Sequence, residues 1–242
     1  MNRDFLKDTV RKKTDFSKTD QNKDVPPPPV QKPVPEDATL IELPEVDSLT
    51  IDTSLVTAIS NRKSRRSFSD QSISLDELSF LLWSTQGVRQ KLGPGHAYRV
   101  VPSAGCRHAL ETYIAAIKIK DLKKAIYRYL PLEHKLVKVA EHENLEEKLT
   151  KGALNQPFVG NCAVTFIWTT IPYRMEWRYG DASYKVIALD AGHVCQNLYL
   201  ACEAIGCGTC AVAAYDQELI DKLLGVDGDD EFTVYMSPVG KV

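Results

Sequence analysis

The hydrophobic pattern of the chain changes several times between helical and strand-like spacing, and its longest regular stretch covers residues 183–216. Apolar residues recur there at intervals of three and four, which predicts a helix that is apolar over most of its circumference and therefore buried. Polar residues interrupt the stretch well short of the roughly 20 residues that span a bilayer, so we expect a central core helix. It ends at Gly206-Cys-Gly-Thr209, small residues that permit a sharp turn and the close approach of a ligand. The pattern leaves open whether this turn only ends the helix or also holds a ligand.

Shorter helices are predicted where a capping residue precedes a short apolar repeat. Ser74 and Glu77 can form a capping box, in which each side chain binds the free backbone amide of the other residue, at the start of a helix that ends near Gly87. A second helix is predicted from Ser103, and its apolar positions are Ala109, Leu110, Tyr113, Ile114 and Ile117. The other short helices are expected over residues 54–60, after the candidate caps Asn144 and Glu147, over 172–178, and over 217–224 between the cap Asp216 and Gly225.

Strands are predicted where β-branched and aromatic residues alternate or form short apolar runs. Residues 126–130 and 135–139 form a predicted hairpin that turns beside His134. The run 163–171 is β-branched, apolar and bounded by Pro172, which predicts a buried central strand. Two further extended stretches are expected at residues 98–101 and 231–239. Because strands and helices mix without regular βαβ spacing, the predicted fold class is α+β.

Composition narrows the class of protein. The chain has 242 residues and a net charge of −2, with a pI near 6.2, which argues against broad binding to nucleic acids or anionic membranes. Its N-terminal sequence is charged throughout and does not resemble a secretory signal peptide. Its six cysteines do not reach the density of a secreted disulfide scaffold. We therefore expect a cytoplasmic protein with one folded domain over residues 40–242.

Residues 1–39 are expected to form an N-terminal extension. Residues 1–24 are charged and offer little to bury, and two proline clusters follow them, a composition that favours an extended polyproline conformation. Three interpretations stay open at this point. The extension can be a disordered leader, a ligand for a proline-binding module, or a strap that lies across another subunit.

Two stretches could bind an anion. The first, Arg62-Lys-Ser-Arg-Arg66, holds four cations and a hydroxyl, donors that suit a phosphate, although an isolated charged run is also typical of a solvated loop. The second, Pro102-Ser-Ala-Gly-Cys-Arg-His108, stands at a predicted helix start, where free backbone N–H groups can bind an anion or a carbonyl. The alternative there is an ordinary loop with Ser103 as helix cap and His108 as a structural hydrogen-bonding residue.

The pair Cys207-Gly-Thr-Cys210 has the spacing of a redox dithiol or of half a metal site. A second such pair or paired histidines are missing from the sequence, so no metal site is predicted. Buried cysteines that pack as small hydrophobic residues are the favoured interpretation. The sequence also lacks H-E-x-x-H, G-x-S-x-G and Walker motifs, which leaves hydrolase and NTPase functions without support.

Five short motifs occur in an order that is shared with one known family. They are Arg62-Lys-Ser-Arg-Arg-Ser-Phe68, Pro102-Ser-Ala-Gly-Cys-Arg-His-Ala-Leu-Glu111, Tyr127-Arg-Tyr-Leu-Pro-Leu-Glu-His134, Ala204-Ile-Gly-Cys-Gly-Thr-Cys210 and Pro238-Val-Gly-Lys241. Together they resemble the nitroreductase family of flavin enzymes, and more closely its SagB-type oxidoreductase branch. The resemblance implies an α+β fold with a mainly antiparallel central sheet flanked by helices. It also implies a homodimer that binds FMN at the subunit interface.

The same resemblance implies roles at the FMN for four of these five motifs. The first motif and Lys241 would hold the phosphate and ribityl end, with Arg66 near the flavin N1 and C2 carbonyl. The Pro102 motif would approach the flavin from the other subunit, and the turn after the long helix would offer backbone N–H groups near N5. The expected cofactor contacts are Arg62, Lys63, Ser64, Arg66, Pro102, Ser103, Ala104, Gly105, His108, Gly206, Cys207, Gly208, Thr209 and Lys241.

The implied activity is hydride transfer from NAD(P)H through flavin N5 to a nitro, quinone or other conjugated acceptor, in ping-pong order. Such chemistry needs no protein nucleophile, and a fixed cation near N1 would favour flavin reduction. One alternative is a SagB-type dehydrogenase that acts on a peptide azoline, although the Lys-Tyr dipeptide expected of azoline dehydrogenases is missing here. Another is a non-catalytic protein that stores or senses flavin. Neither a nucleic acid nor a membrane is an expected partner.

Overall fold

A computed structural model describes residues 3–93 and 95–242. The strands are Leu40–Glu42 (β1), Val88–Gly93 (β2), His96–Arg99 (β3), Leu110–Ala116 (β4), Ala125–Leu130 (β5), Lys135–Ala140 (β6), Val164–Thr170 (β7), Cys207–Thr209 (β8) and Phe232–Lys241 (β9). Seven of them form one sheet in the order β1-β6-β5-β4-β7-β9-β8, while β2 and β3 form a separate hairpin. Every neighbouring pair in the large sheet is antiparallel. The predicted α+β class with a mainly antiparallel sheet is confirmed.

Helices cover both faces of this sheet. They are Leu55–Asn61 (α1), Leu75–Gln86 (α2), Leu145–Gly152 (α3), Tyr173–Tyr179 (α4), Ser183–Ala204 (α5) and Gln217–Leu224 (α6). Buried side chains of α2 and α5 join one hydrophobic core, and those of α3 and α6 join another. The central strands lie between the two cores, so both of their faces are buried.

Strand β4 contributes side chains to both hydrophobic cores, and it stands where the sequence predicted a helix. Residues 103–117 do not form the predicted helix, because a short 3₁₀ turn at Ala104–Cys106 leads directly into β4. Leu110 and Ile114 face the core of α2 and α5, whereas Tyr113 and Ala115 face the core of α3 and α6. A strand buried on both faces has no polar alternation, so its apolar run also fits a helical spacing. The sequence pattern therefore could not distinguish a buried strand from a helix.

Most other predicted elements are confirmed. Ser74 and Glu77 make the capping box of α2, and the Asp216 side chain accepts from the Leu219 amide at the start of α6. Strands β5 and β6 form the predicted hairpin, and β7 lies buried between β4 and β9. Asn144 occupies the N-cap position of α3, but its side chain makes no capping hydrogen bond.

The long helix α5 is confirmed, but it is buried on one side only. Ten of its 22 residues are buried, while Tyr184 and Leu189 are 51% and 54% exposed, and Gly192 between them and the helix end is exposed as well. The apolar residues of α5 therefore continue onto a surface that this chain alone does not cover. Within residues 3–93 and 95–242, no helix combines the length and the apolar character that crossing a membrane requires.

The proline-rich part of the N-terminal extension lies across its own chain as a strap (residues 25–33). Buried side chains of the folded domain bind its backbone. Arg99 donates to the Val30 carbonyl at 2.6 Å, and Arg128 donates to the carbonyls of Lys32 and Pro33 at 2.8 and 2.7 Å. The extension thus packs on its own subunit, a possibility that the sequence interpretations did not include. Residues 1–2 of the extension lie outside the described residues.

Candidate functional site

The cationic segment, Arg62-Lys-Ser-Arg-Arg66, follows α1 and runs along the outer edge of β8. The Arg65 amide donates to the Thr209 carbonyl at 2.9 Å, and Ser64 forms an isolated parallel bridge with Thr209. Strand β8 is an edge strand whose other side pairs with β9. Two of the predicted site motifs, far apart in the sequence, therefore meet at one edge of the sheet.

The cations at this edge differ in whether a carboxylate neutralises them. Arg65 pairs with Glu203 of α5 at 3.2 Å, and Lys241 pairs with Glu77 of α2. Burial lowers the Lys241 pKa, but the hydrogen bond to Glu77 together with the charge of Glu77 and the contact with Cys207 outweighs burial and holds the pKa above its usual value. Lys241 also donates to the Ile205 carbonyl at 2.9 Å. Its donors therefore already have partners within the chain.

Arg62, Lys63 and Arg66 have no carboxylate partner among the described residues. Arg62 lies over the ring of Tyr199 with its guanidinium carbon 5.3 Å from the ring centroid, and Arg66 lies over the ring of Phe158 at 5.8 Å. Ring faces hold a guanidinium in place without neutralising it. Three uncompensated positive charges around a serine hydroxyl form a donor set that suits an anion such as a phosphate.

The turn between α5 and β8 supplies an open backbone edge. Gly206 has a φ of +65° with open space where a Cβ would stand. Gly208 faces Gly240 in the ladder with β9, so the alternation of an antiparallel strand points the backbone groups of Cys207 and Thr209 to the outer edge. The Thr209 carbonyl there accepts from Arg65. The Cys207 N–H therefore points away from β9, next to the turn at Gly206 (the glycine turn). The Gly208 N–H points toward β9.

The cysteines of the Cys207-Gly-Thr-Cys210 motif are free and buried. Burial raises the pKa of the Cys207 thiol to about 12, so the reactive thiolate is strongly disfavoured. Cys195 and Cys202 on α5 are buried with Cys207 in the hydrophobic core of α2 and α5. The interpretation of these cysteines as packing residues agrees with this environment.

The second predicted motif, Pro102 to His108, lies elsewhere along α5. The Ala104 amide donates to Asp190 at 3.3 Å, and Asp190 precedes Tyr199 by nine residues. At 1.5 Å per residue this separates the motif from the cationic segment by about 14 Å along the helix axis. Within one chain, the two motifs do not meet.

His108 and Gly105 hold this second motif in shape. The His108 ring donates a hydrogen bond from Nε2 to the Ala97 carbonyl at 3.0 Å. Burial, with a contribution from nearby Arg99, lowers the His108 pKa to about 3, so the ring is neutral. Gly105 has a φ of +58°, and a Cβ there would approach the Tyr179 hydroxyl to 2.7 Å. A cavity of about 410 Å³ opens beside the motif and is lined by Pro102, Ser103, Cys106, His108, Arg89 and Tyr98.

Some residues of the site escaped the sequence interpretation. Tyr199 and Glu203 reach the cationic segment from α5, and Asp190 holds the Ala104 amide. For Asp190 and Glu203 the available signal is a charged side chain within an otherwise apolar helix, which is interpreted from the sequence only as an interruption of the apolar run. Tyr199 gives no such signal.

Comparison with known proteins agrees with this arrangement. The model of the nitroreductase family matches residues 59–241. A nitroreductase-family protein of Methanocaldococcus jannaschii is 28% identical over 205 residues, which cover 85% of this chain and 98% of the relative. A solved nitroreductase-family structure from Ralstonia eutropha is 26% identical with a TM-score of 0.69, and the match covers 90% of this chain and 99% of that one.

A third relative bears on the branch of the family. The trifolitoxin-processing protein TfxB of Rhizobium leguminosarum bv. trifolii is 26% identical over 167 residues, which cover 64% of this chain and 44% of that protein. The chain therefore spans less than half the length of this relative. The likeness supports the SagB-type branch that the motifs indicated. With a family model that spans the cationic segment, the Pro102 motif and the glycine turn, the chain belongs to the nitroreductase family.

Proposed function

We propose that this protein is an FMN-dependent oxidoreductase that uses NAD(P)H to reduce a nitro, quinone or other conjugated acceptor. Members of the nitroreductase family are generally flavin-dependent oxidoreductases, and the family match covers the whole candidate site. The observation that carries the proposal is the set of three cations without carboxylate partners beside an open glycine turn. When bound, the flavin would supply the hydride chemistry, so the protein itself needs neither a nucleophile nor a metal.

The residues of the chain fit the phosphorylated end of FMN. Arg62, Lys63 and Ser64 would bind the phosphate and ribityl hydroxyls, because they offer donors that no side-chain carboxylate occupies. Arg66 would lie near the N1 and C2 carbonyl region, where a cation stabilises negative charge. Lys241, although expected at the phosphate from the sequence, is held by Glu77 and would contribute only if that ion pair opened.

The glycine turn fits the reactive side of the ring. Gly206 leaves open space, which permits a flat ring to approach the backbone. The outward Cys207 N–H would donate a hydrogen bond near N5, with Gly208 and Thr209 fixing the strand against β9 and Arg65. This assignment narrows the backbone donors expected near N5, which were Gly206, Cys207 and Gly208, to Cys207.

A second copy of the chain would complete the site. Pro102, Ser103, Ala104 and Gly105 lie about 14 Å along α5 from the cationic segment, too far to share a flavin ring edge with it in the same subunit. The exposed apolar strip of α5 around Tyr184, Leu189 and Gly192 offers a subunit contact. We therefore propose a homodimer with FMN between subunits, in which the partner's Pro102 motif faces the ring and His108 supports that motif from behind.

The test is direct. Purified protein should be yellow or take up FMN, and it should run as a dimer in size-exclusion chromatography with light scattering. Anaerobic titration with NADH and then NADPH should bleach the flavin absorbance, and an acceptor panel should restore it. A colourless protein that takes up no FMN would refute the proposal. Tight FMN binding without reduction by either nicotinamide would indicate a flavin-binding or flavin-sensing protein instead.

A peptide azoline dehydrogenase is the second candidate, and the likeness to the trifolitoxin-processing protein favours it. The sequence lacks a Lys-Tyr dipeptide, which argues against it. Oxidation of an azoline-containing peptide without added NAD(P)H would support this function. Failure to oxidise such peptides, together with reduction of the acceptor panel by NAD(P)H, would leave the first proposal in place.

A further inference from the structure

Tyr199 connects three parts of the candidate site, although no sequence motif pointed to it. It stands on α5 and is only 8% exposed. Its hydroxyl accepts from the Ala211 amide at 2.8 Å and lies 2.9 Å from the Ser64 hydroxyl. Its ring face carries Arg62 at 5.3 Å. One buried side chain thus touches the backbone after β8 and two residues of the cationic segment.

The hydrogen bonds of Tyr199 fix the direction of the Ser64 proton. A backbone amide can only donate, so the Tyr199 oxygen acts as acceptor toward Ala211. The phenol proton then needs an acceptor, because buried hydroxyl groups rarely leave a donor unpaired. Ser64 Oγ is the remaining partner within hydrogen-bond distance. Ser64 therefore accepts from Tyr199, and its own proton is free to donate outward from the site.

This direction matters for the kind of ligand. A phosphate monoester presents only acceptor oxygens at neutral pH, so a serine helps to bind it only as a donor. Ser64 is exposed and follows Arg62 and Lys63 in a segment with no neutralising carboxylate on those two cations. Tyr199 contacts Arg62 through its ring and Ser64 through its hydroxyl. The hydroxyl and the cation can then act on one phosphate group together.

We propose that Tyr199 is a positioning residue that sets the preference of this site for phosphorylated flavin, FMN over riboflavin. It acts through Ser64, whose hydroxyl it orients, and through Arg62, whose guanidinium it supports. Tyr199 contacts no reacting atom in this scheme. The inference rests on the proposed flavin-binding function and adds to it the residue by which the phosphate is recognised.

The experiment compares FMN with riboflavin, which shares the ring and the ribityl chain but lacks the phosphate. Apoprotein of wild type, Tyr199→Phe and Tyr127→Phe is titrated with each ligand by flavin fluorescence quenching. Tyr127 on β5 is a matched control, because its hydroxyl also donates a hydrogen bond, in this case to the Lys123 carbonyl at 2.7 Å. Three strands of the sheet separate β5 from β8. Tyr199→Phe keeps the ring under Arg62 and removes only the hydroxyl.

We expect Tyr199→Phe to weaken FMN binding about tenfold, as for loss of one well-oriented hydrogen bond to a charged group, and to change riboflavin binding less than about twofold. Tyr127→Phe should change neither. Equal weakening for both ligands, or no weakening of FMN, would overturn the role of Tyr199. A wild-type protein that binds neither flavin would overturn the proposed function as well, so the two failures are distinguishable in the same titration.

A double mutant separates this role from a general effect on packing. Because the Tyr199 hydroxyl acts on the phosphate through Ser64, Tyr199→Phe combined with Ser64→Ala should bind FMN no more weakly than Ser64→Ala alone. Non-additivity of this kind is the signature of two residues in one interaction. Fully additive losses would show that Tyr199 does not act through Ser64, and would overturn the proposed mechanism of recognition.

Discussion

Arginines occupy two contrasting settings in this protein, and the contrast separates residues that hold the fold from residues that can hold a ligand. The buried group is Arg99, Arg107, Arg128 and Arg174, each at most 4% exposed. The other group is the cationic segment beside β8, in which Arg66 is exposed and Arg62 is half-buried. In the buried group every guanidinium is bound within the chain, either to Glu111 or to backbone carbonyls. In the cationic segment, Arg62 and Arg66 lie over aromatic rings and have no carboxylate partner among the described residues.

The buried group depends on one carboxylate and on the strap. Glu111 accepts from Arg174 at 2.6 Å and from Arg128 at 3.2 Å, and it also accepts from the Lys32 amide of the strap at 2.7 Å. Burial alone would raise the Glu111 pKa, but the two arginines outweigh it and hold the pKa below its usual value. Arg128 and Arg174 are thus buried and bound to Glu111 and to backbone carbonyls of the same chain. The comparison shows that burial together with partners inside the chain marks a structural cation.

The strongest test of this distinction is Glu111→Gln, which keeps the shape of the side chain and removes its charge. Breaking a buried ion pair from one side costs roughly 3–5 kcal/mol of unfolding free energy, here with two arginines left without their counter-charge. Urea denaturation of the variant should show a loss of this size. Glu141→Gln is the matched control, because Glu141 also binds two cations, Lys123 and Lys138, but at the surface. A loss no greater than in Glu141→Gln would contradict a structural role for the buried cluster.

Removal of the strap tests the contribution of its backbone carbonyls, which accept hydrogen bonds from the buried arginines. A chain that starts at residue 35 loses the three strap carbonyls that accept from Arg99 and Arg128, whereas a chain that starts at residue 25 keeps them. Each of these three hydrogen bonds contributes on the order of 1 kcal/mol where water can replace part of the bond. We therefore expect the shorter chain to lose about 2–3 kcal/mol relative to the longer one in urea denaturation. Equal stability of the two chains would show that the strap is dispensable.

His108 is buried beside these arginines, and its neutral state makes the unfolding free energy depend on pH. Its folded pKa of about 3 lies below the unfolded value of 6.5, chiefly because of burial. Above pH 6.5 neither state binds the proton and His108 has no effect. As pH falls from 6.5 toward 3, only the unfolded state binds it, so stability is lost at about 1.4 kcal/mol per pH unit.

We expect His108→Gln to remove this contribution, so that its loss of unfolding free energy between pH 7 and pH 5 is smaller than that of wild type by about 2 kcal/mol. Urea denaturation at the two pH values measures the unfolding free energy of each protein. Comparing its change with pH, rather than its value, removes any pH-independent cost of the substitution. His142→Gln serves as control, because His142 is only partly buried and binds the Leu223 carbonyl. Identical pH slopes for wild type and His108→Gln would contradict a buried neutral His108.

The two settings also explain how far the sequence alone could lead. The helices α2, α5 and α6 follow from capping residues and apolar spacing, and the cation run at Arg62 is visible as a motif. The predicted helix at Ser103 failed because a strand buried on both faces has no alternation to reveal it. The pairing of Lys241 with Glu77, the support of Arg62 by Tyr199 and the docking of the strap all join residues distant in sequence. Spacing along the chain carries no information about such contacts.

The smallest effect on stability, and the sharpest contrast with Glu111, is expected for Arg62 and Arg66 of the cationic segment. Arg62→Ala and Arg66→Ala should each change the unfolding free energy by no more than about 1 kcal/mol, because each removes one cation–π contact and no ion pair. Each should nevertheless weaken FMN binding by roughly 1.5–3 kcal/mol, the worth of a charged hydrogen bond, and Arg66→Ala should also lower the flavin reduction potential, because a cation near N1 favours the reduced form. Urea denaturation and flavin titration on the same samples measure both quantities, with Lys148→Ala on α3 as an exposed cation outside the site. If Arg62→Ala and Arg66→Ala destabilised the fold as Glu111→Gln does, or bound FMN as tightly as Lys148→Ala, the division between structural and ligand-binding arginines would be wrong.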